Sequence, residues 1–175
     1  MTTLIDTEIE GFRLRFAEEE DVPVILGLIK ELAEYENLSH EVVATEEILH
    51  QSLFKRSVAE VVIGEYNGNP VGMALFFYNF STFLGKPGIY LEDLYIKPEM
   101  RGRGMGKVML SFLAKLAVER DCGRLEWSCL DWNKPSIRFY KQMGAVPMEE
   151  WTVYRLTGTS LAEAAKKFNG PSENS

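Results

Sequence analysis

The sequence predicts an α/β (α+β) fold, one mixed sheet flanked by helices. Three observations carry this. An alternating strand is followed by a helix-period apolar stripe near the N-terminus, three consecutive strand-like runs joined by turn residues fill the middle, and helix, strand, helix and strand follow in that order. No repeat or linker divides the 175 residues. They are read as one domain over residues 11–157, with an N-terminal extension at 1–10 and a partly disordered tail at 158–175.

Residues 12–17 alternate in polarity and read as the first strand. Val24, Ile25, Leu28, Ile29, Leu32 and Ala33 then recur at helical spacing, which predicts an amphipathic helix over 21–36 with Asp21 as its cap and Pro23 in its first turn. A second short helix is expected after Thr45, where Glu46 and Glu47 suit the positive end of the dipole. Residues 58–66 and 71–80 form a predicted hairpin around Asn67-Gly68-Asn69-Pro70, and a third strand over 89–96 follows a loop at 85–88. A helix from about Lys107 has Met109, Phe112, Leu113, Leu116 and Ala117 on one face and ends before Gly123. Residues 125–130 read as a strand, 135–143 as a short helix closed by Gly144, and 146–156 as a final strand or two. A short helix is expected from Ser160, and the polar NGPSENS end is expected to be disordered.

A net charge of −7 disfavours nucleic acid as a partner and favours small cations in an acidic cleft. No run of 18 apolar residues is present and MTTLIDTEIE lacks the blocks of a signal peptide, so no membrane partner and a cytoplasmic location are expected. Cys122 and Cys129 are accordingly expected to stay reduced. His40 and His50 have no ligand spacing to the cysteines, so no metal is expected.

The stretch YIKPEMRGRGMGKVML sets bare, basic backbone between a strand and a helix. A P-loop needs Ser or Thr after its lysine, and Lys107 is followed by Val108; a dinucleotide fingerprint needs G-x-G-x-x-G, and Gly102, Gly104 and Gly106 are spaced by two. What remains is Arg101-x-x-Gly104-x-Gly106 opening a helix. Exposed N–H groups there make an anion site, and Arg101, Arg103 and Lys107 add charge suited to a pyrophosphate. The alternative is a tight, solvated loop.

The surroundings bear on that choice. YLEDLYIKPEMRGRGMG and, after the next strand, LDWNKPSIRFYKQMGA together resemble the Gcn5-related N-acetyltransferase (GNAT) superfamily over about residues 12–157. LIKELAEYENL, YLEDLYI and LDWNKPSIRFYKQMGA look like its diamine acetyltransferase branch, which includes spermidine/spermine and thialysine enzymes. The resemblance implies a GNAT fold with a mixed sheet of about six to seven strands, acetyl-CoA as cosubstrate and a homodimer. It implies that residues 102–107, with Met105 among them, take the pyrophosphate, that the backbone of Leu94, Tyr95 and Ile96 pairs with the pantetheine amides, and that Asn133 and Ser136 contact the same arm.

Amine acetylation sets its own requirements. An alkylammonium with pKa near 10.4 costs about 4.6 kcal/mol to deprotonate at pH 7. A base must help, and the leaving thiolate benefits from a proton. Glu92 and Asp93 are adjacent on a strand and point to opposite faces unless the strand bulges. The resemblance implies such a bulge, with Glu92 the base through water and Tyr140 the general acid. Spacing alone would read Tyr140, three residues from Ile137 and Met143, as a core tyrosine. The branch also implies Tyr35 and Glu36 on the substrate side. Glu126 and Ser128, on one face of their strand, are candidates to line the acceptor cleft beside Glu92 and Asp93.

The loop at 80–88 has no acidic residue. The polyamine enzymes of the branch tend to place a carboxylate there, since a polycation needs negative groups along its length to be selected; the Ser-Thr-aromatic start of this loop and Leu130-Asp131-Trp132-Asn133 look more like the thialysine branch, so the resemblance implies a lysine-analogue amine ahead of polyamines. Two rival classes share the cofactor loop: an acetyltransferase acting on protein or peptide amines, and a non-catalytic acyl-CoA-binding module.

Overall fold

The computed structural model of the chain describes residues 2–168. Its strands are β1 (Ile5–Asp6), β2 (Phe12–Phe16), β3 (Glu60–Tyr66), β4 (Asn69–Ser81), β5 (Lys86–Ile96) and β6 (Leu125–Trp127), in one sheet of order β1-β2-β3-β4-β5-β6. Neighbours are antiparallel from β1 to β5, and β5 pairs with β6 in parallel. The helices are α1 (Val22–Tyr35), α2 (Glu46–His50), α3 (Met105–Glu119), α4 (Lys134–Gln142) and α5 (Gly158–Lys166). The mixed sheet flanked by helices is thus as expected.

Alternation along the strands supplies two apolar faces. Val61, Ile63, Met73 and Tyr95 pack with Ile25 and Leu28 of α1 and with Leu53, which lies in the π-helical turn that continues α2. Across the sheet, a side chain at Gly64 would meet the Phe12 ring at 2.8 Å and the Met109 sulfur at 3.4 Å, so α3 lies closely on that face. Ile63 and Met73 are fully buried. Each such side chain contributes roughly 1.5–3 kcal/mol of transfer free energy.

Local chemistry sets the turns. Asn67 and Gly68 both have positive φ (50° and 80°), the requirement of a two-residue type I′ hairpin, so β4 begins at Asn69 rather than Val71. The Thr45 hydroxyl caps α2 by accepting from the Ile48 N–H at 3.2 Å. β5 starts at Lys86, which places residues 86–88 in the strand instead of a loop.

The register of β4 against β5 positions the site. Leu75 pairs with Asp93 and Phe76 with Leu91, so Glu92 is the extra residue of a bulge. The parallel pairing with β6 covers only Ile89, Tyr90 and Leu91. Beyond Leu91, β5 is paired through β4 alone among the described residues.

The chain divides into two compact units, Met1–Ser128 and Cys129–Ser175. The first holds the sheet and α1–α3; the second holds α4 and α5. In the second, the expected strand over 146–156 does not form: the segment carries no strand, and Val146, Trp151, Val153 and Tyr154 are exposed. Apolar content suggested a strand, yet a strand exists only where a neighbour accepts its hydrogen bonds, and Trp151 instead closes a turn onto the Met148 carbonyl. The strand predicted over 125–130 shortens to Leu125–Trp127. The expected helix near Ser160 is α5. The disorder expected for NGPSENS lies outside the described residues.

Candidate active site

α3 opens on bare backbone. Gly102 (φ 77°) and Gly104 (φ 83°) occupy the left-handed region, which disfavours any residue with a Cβ. A Cβ at Gly102 or Gly106 would meet nothing within 4 Å, so the space over the loop is open. The first helical bond runs from the Val108 N–H to the Gly104 carbonyl at 3.1 Å, leaving the N–H groups of Met105, Gly106 and Lys107 ahead of the ladder. Three unladdered N–H groups at the positive end of a 15-residue helix suit an anion, and the glycines let phosphate oxygens approach. The exposed Lys107 and Arg103, the latter 5.6 Å from the Tyr66 ring centroid, supply charge at the loop. The residues therefore fit a diphosphate.

Arg101 is placed differently. Its Nε donates to the Ile96 carbonyl at 3.0 Å, and its guanidinium lies 4.6 Å from the Tyr35 ring centroid and 5.5 Å from that of Tyr95.

At the other end of the same strand segment, the charges of Glu92 and Glu36 both act on Asp93. Glu92, the bulged residue, is exposed; Asp93 beside it is half-buried; Glu36 caps the C-terminus of α1. Burial pushes the Asp93 carboxyl up to about 6, helped by the negative charges of Glu92 and Glu36. Burial also raises Glu36. A protein normally pairs a half-buried carboxyl with a cation, and a cation seated here would offset the burial of Asp93 and Glu36. Beyond the bulge Leu94 is half-buried, while Tyr95 and Ile96 are buried. The Tyr95 phenol is pushed up by burial and by the charge of Glu31.

Glu126 and Ser128 belong to another cluster. Glu126 pairs with Arg124 at 2.7 Å and accepts from Asn79 Nδ2 at 3.0 Å. The Ser128 hydroxyl bonds the Tyr90 hydroxyl at 2.6 Å, and the Tyr90 ring lies 5.3 Å from that of Phe77. Glu126 lies within the β5–β6 pairing, opposite Tyr90, and Ser128 follows the last residue of β6.

In Cys129–Ser175, Asn133 is the N-cap of α4, its Oδ1 accepting from the Ser136 N–H at 3.4 Å, with Pro135 in the first turn. Tyr140 is half-buried, its ring 5.4 Å from that of Phe139. Sequence reading did not anticipate the capping role of Asn133, although N-x-P-S before a helix is its signal. It also missed the side-chain placement of Arg101, for which sequence carries no signal, because the partners come from residues 35 and 95.

Among the described residues, no group of three or more His, Cys, Asp or Glu is arranged to hold a metal ion, and no helix is long and apolar enough to cross a membrane.

Comparison with known proteins places this geometry. The model of the acetyltransferase (GNAT) family matches residues 26–145. Thialysine N-epsilon-acetyltransferase of Bos taurus is 40% identical over 166 residues, spanning 88% of this chain and 97% of that protein. L-ornithine N5-acetyltransferase NATA1 of Arabidopsis thaliana is 34% identical over 203 residues, spanning 90% and 89%. The crystal structure of a predicted acetyltransferase with acetyl-CoA from Clostridium acetobutylicum has the same fold, with a TM-score of 0.68 at 20% identity over 82% of this chain and 96% of that one. The family match and the identity to curated relatives agree with the sheet and loop described above: the chain belongs to the GNAT acetyltransferase family and is an enzyme that uses acetyl-CoA.

Proposed function

We propose that the enzyme acetylates the side-chain amine of a small amino acid, of the thialysine or other lysine-analogue type or ornithine, with diamines and polyamines as weaker acceptors. The observation that carries this is the bulge at Glu92, which lets neighbouring carboxyls of one strand join Glu36 in a single acidic cluster. The names of the curated relatives support the amino acid class, and the loop at 80–88 has no carboxylate to track a longer polycation.

Acetyl-CoA supplies the acetyl thioester. The N–H groups of residues 102–107, with Arg103 and Lys107, hold its diphosphate, Arg101 opening the loop. The backbone of Leu94, Tyr95 and Ile96, past the end of the β6 pairing, receives the pantetheine amides as a sheet edge receives a peptide. Asn133 and Ser136 contact the same arm. Asp93 and Glu36 hold the ammonium beside the Tyr35 ring, and Glu126 and Ser128 line the more distant wall. The cation in turn favours the charged form of Asp93. Glu92, exposed to solvent, takes the proton through water. Tyr140 returns a proton to the departing sulfur. We read the catalytic domain as residues 11–157 and the protein as a cytoplasmic homodimer, on the branch it resembles.

A thiol-release assay with acetyl-CoA tests the acceptor class across thialysine, lysine, ornithine, diamines, spermidine and short peptides. The highest kcat/KM is expected for thialysine or ornithine; turnover confined to peptides or spermidine would overturn this reading. Tyr140→Phe is expected to lower kcat about 100-fold or more with little change in coenzyme A affinity. Glu92→Gln is expected to lower kcat by a similar factor, most strongly at neutral pH.

A further inference from the structure

The face of the sheet that carries Asp93 also carries a pair of hydroxyls. Asp93 lies three positions after Tyr90, a spacing that in a regular strand puts two side chains on opposite faces. Glu92, the extra residue of the bulge, takes up the odd step. Tyr90 therefore pairs with Phe77 and Asp93 with Leu75, two positions apart along β4 and on one face. Those two ladder steps span roughly 7 Å.

The Tyr90 hydroxyl meets the Ser128 hydroxyl at 2.6 Å, and the Phe77 ring, 5.3 Å from that of Tyr90, holds the phenol in place. Leu91 and Trp127 form the last backbone pair between β5 and β6, and Ser128, the next residue, is exposed. Two hydroxyls carry two protons and spend one on their mutual bond, so one O–H remains to give to an acceptor.

Charge differs between the two ends of this stretch. Glu92 and Glu36 both bear on Asp93 at the bulge. On the hydroxyl side, Glu126 is already answered by Arg124 at 2.7 Å and by Asn79 at 3.0 Å. A second ammonium gains little there, whereas a carboxylate gains a charge-assisted bond from the remaining O–H. In an amino acid of lysine length, six bonds of about 1.5 Å join the side-chain nitrogen to the carboxyl carbon, a zigzag of roughly 7 Å.

We propose that Tyr90 and Ser128 determine acceptor specificity: with the side-chain ammonium at Asp93, the α-carboxylate of the acceptor takes the free O–H of the hydroxyl pair. Ser128 makes that contact. Tyr90, donating to Ser128 Oγ, is a positioning residue that turns the serine O–H toward the cleft. A diamine of the same length has no carboxylate to offer, so the pair separates amino acids from diamines. This rests on the acetyltransferase reading of the site and adds the groups that hold the far end of the acceptor.

Steady-state assays on the full chain with acetyl-CoA compare ornithine and thialysine, each beside the diamine that lacks its carboxyl group. Ser128→Ala is expected to lower kcat/KM for both amino acids about tenfold, through KM, and to leave both diamines within about twofold of wild type. Tyr90→Phe keeps the ring against Phe77 and is expected to lower the amino acids about threefold, with the diamines again unmoved. Ser128→Thr keeps the hydroxyl and is expected to stay within about twofold of wild type for all four acceptors. If the pair merely fastened β6 to β5, each variant would slow both members of a pair alike, and that result would overturn the proposal. Coenzyme A affinity, titrated separately, is expected to stay within about twofold in every variant; its loss in Ser128→Ala and Tyr90→Phe would assign the pair to the cofactor and overturn the proposal too. A wild-type preference for the amino acids that survives both variants overturns the specificity role alone. Failure of the wild type to acetylate any of the four overturns the acceptor reading, and the specificity role with it.

Discussion

The two ends of α1 place the same residue types in opposite electrostatic settings. Ahead of its first turn, the buried Asp21 accepts from the two terminal guanidinium nitrogens of Arg15 at 2.6 and 2.8 Å and from the Glu18 N–H at 2.7 Å, while Arg15 Nε donates to Glu65 at 2.6 Å. Arg15 holds the Asp21 carboxyl below its ordinary value, and the Asp21 contact raises the guanidinium in return. At the far end, Glu36, Glu92 and Asp93 crowd together, and Asp93 rises to about 6. Burial acts on both ends; what differs is whether an internal cation answers it. The compensated end fastens the helix to β2 and β3, and the uncompensated end is suited to a cation that arrives from solution.

The comparison breaks most readily at the compensated end. Asp21→Ala leaves the Arg15 guanidinium half-buried with Glu65 as its remaining carboxylate partner among the described contacts, and is expected to cost about 3–5 kcal/mol in a urea titration. Turnover per folded molecule is expected to stay near wild type; a loss below about 1 kcal/mol would remove the distinction between the two ends.

Asp93→Asn should act in the reverse sense. Because the folded pKa of Asp93 lies above its unfolded value near 3.9, its contribution to stability is complete below about pH 4 and is lost as pH rises through about 6. Asp21, with a depressed folded pKa, contributes fully above about pH 4 and loses that contribution as pH falls through its folded value. Asp93→Asn is therefore expected to stabilise the ligand-free protein at pH 7.5 by up to about 3 kcal/mol, from about two pH units at 1.36 kcal/mol each, and to leave stability near pH 4 unchanged. Thermal unfolding at the two pH values checks this. Equal stability of variant and wild type at pH 7.5 would mean that Asp93 already has a counter-charge.

The smallest effect is expected from Glu36→Gln, which removes the weaker of the two negative neighbours of Asp93. The fall in stability that accompanies Asp93 ionisation as pH rises should move down by less than one pH unit. No movement would detach Glu36 from the cluster.

Legibility in the sequence followed the range of the forces. The α1 stripe, the Asn67-Gly68 turn, the Thr45 cap and the glycine loop depend on residues within a few positions of one another, and each was readable. The segment over 146–156 was misread because its apolar residues describe a face without saying what, if anything, covers it. Alternation puts Glu126 and Ser128 on one face of their strand; it cannot say that Arg124 and Asn79 engage the Glu126 carboxylate.

The chain by itself determined its five helices, five of the six described strands and the membership of its family, because periodicity and turn chemistry are written in adjacent residues. Tertiary structure decided which residue of β5 is extra, since that register is set by Leu75 and Phe76 across the ladder. It also decided that Arg101 lies over Tyr35 and Tyr95, and that Asp93 has carboxylates for neighbours. Ring stacking and Coulomb repulsion act through space, and only the folded backbone brings residues 35, 36, 93 and 101 within their range.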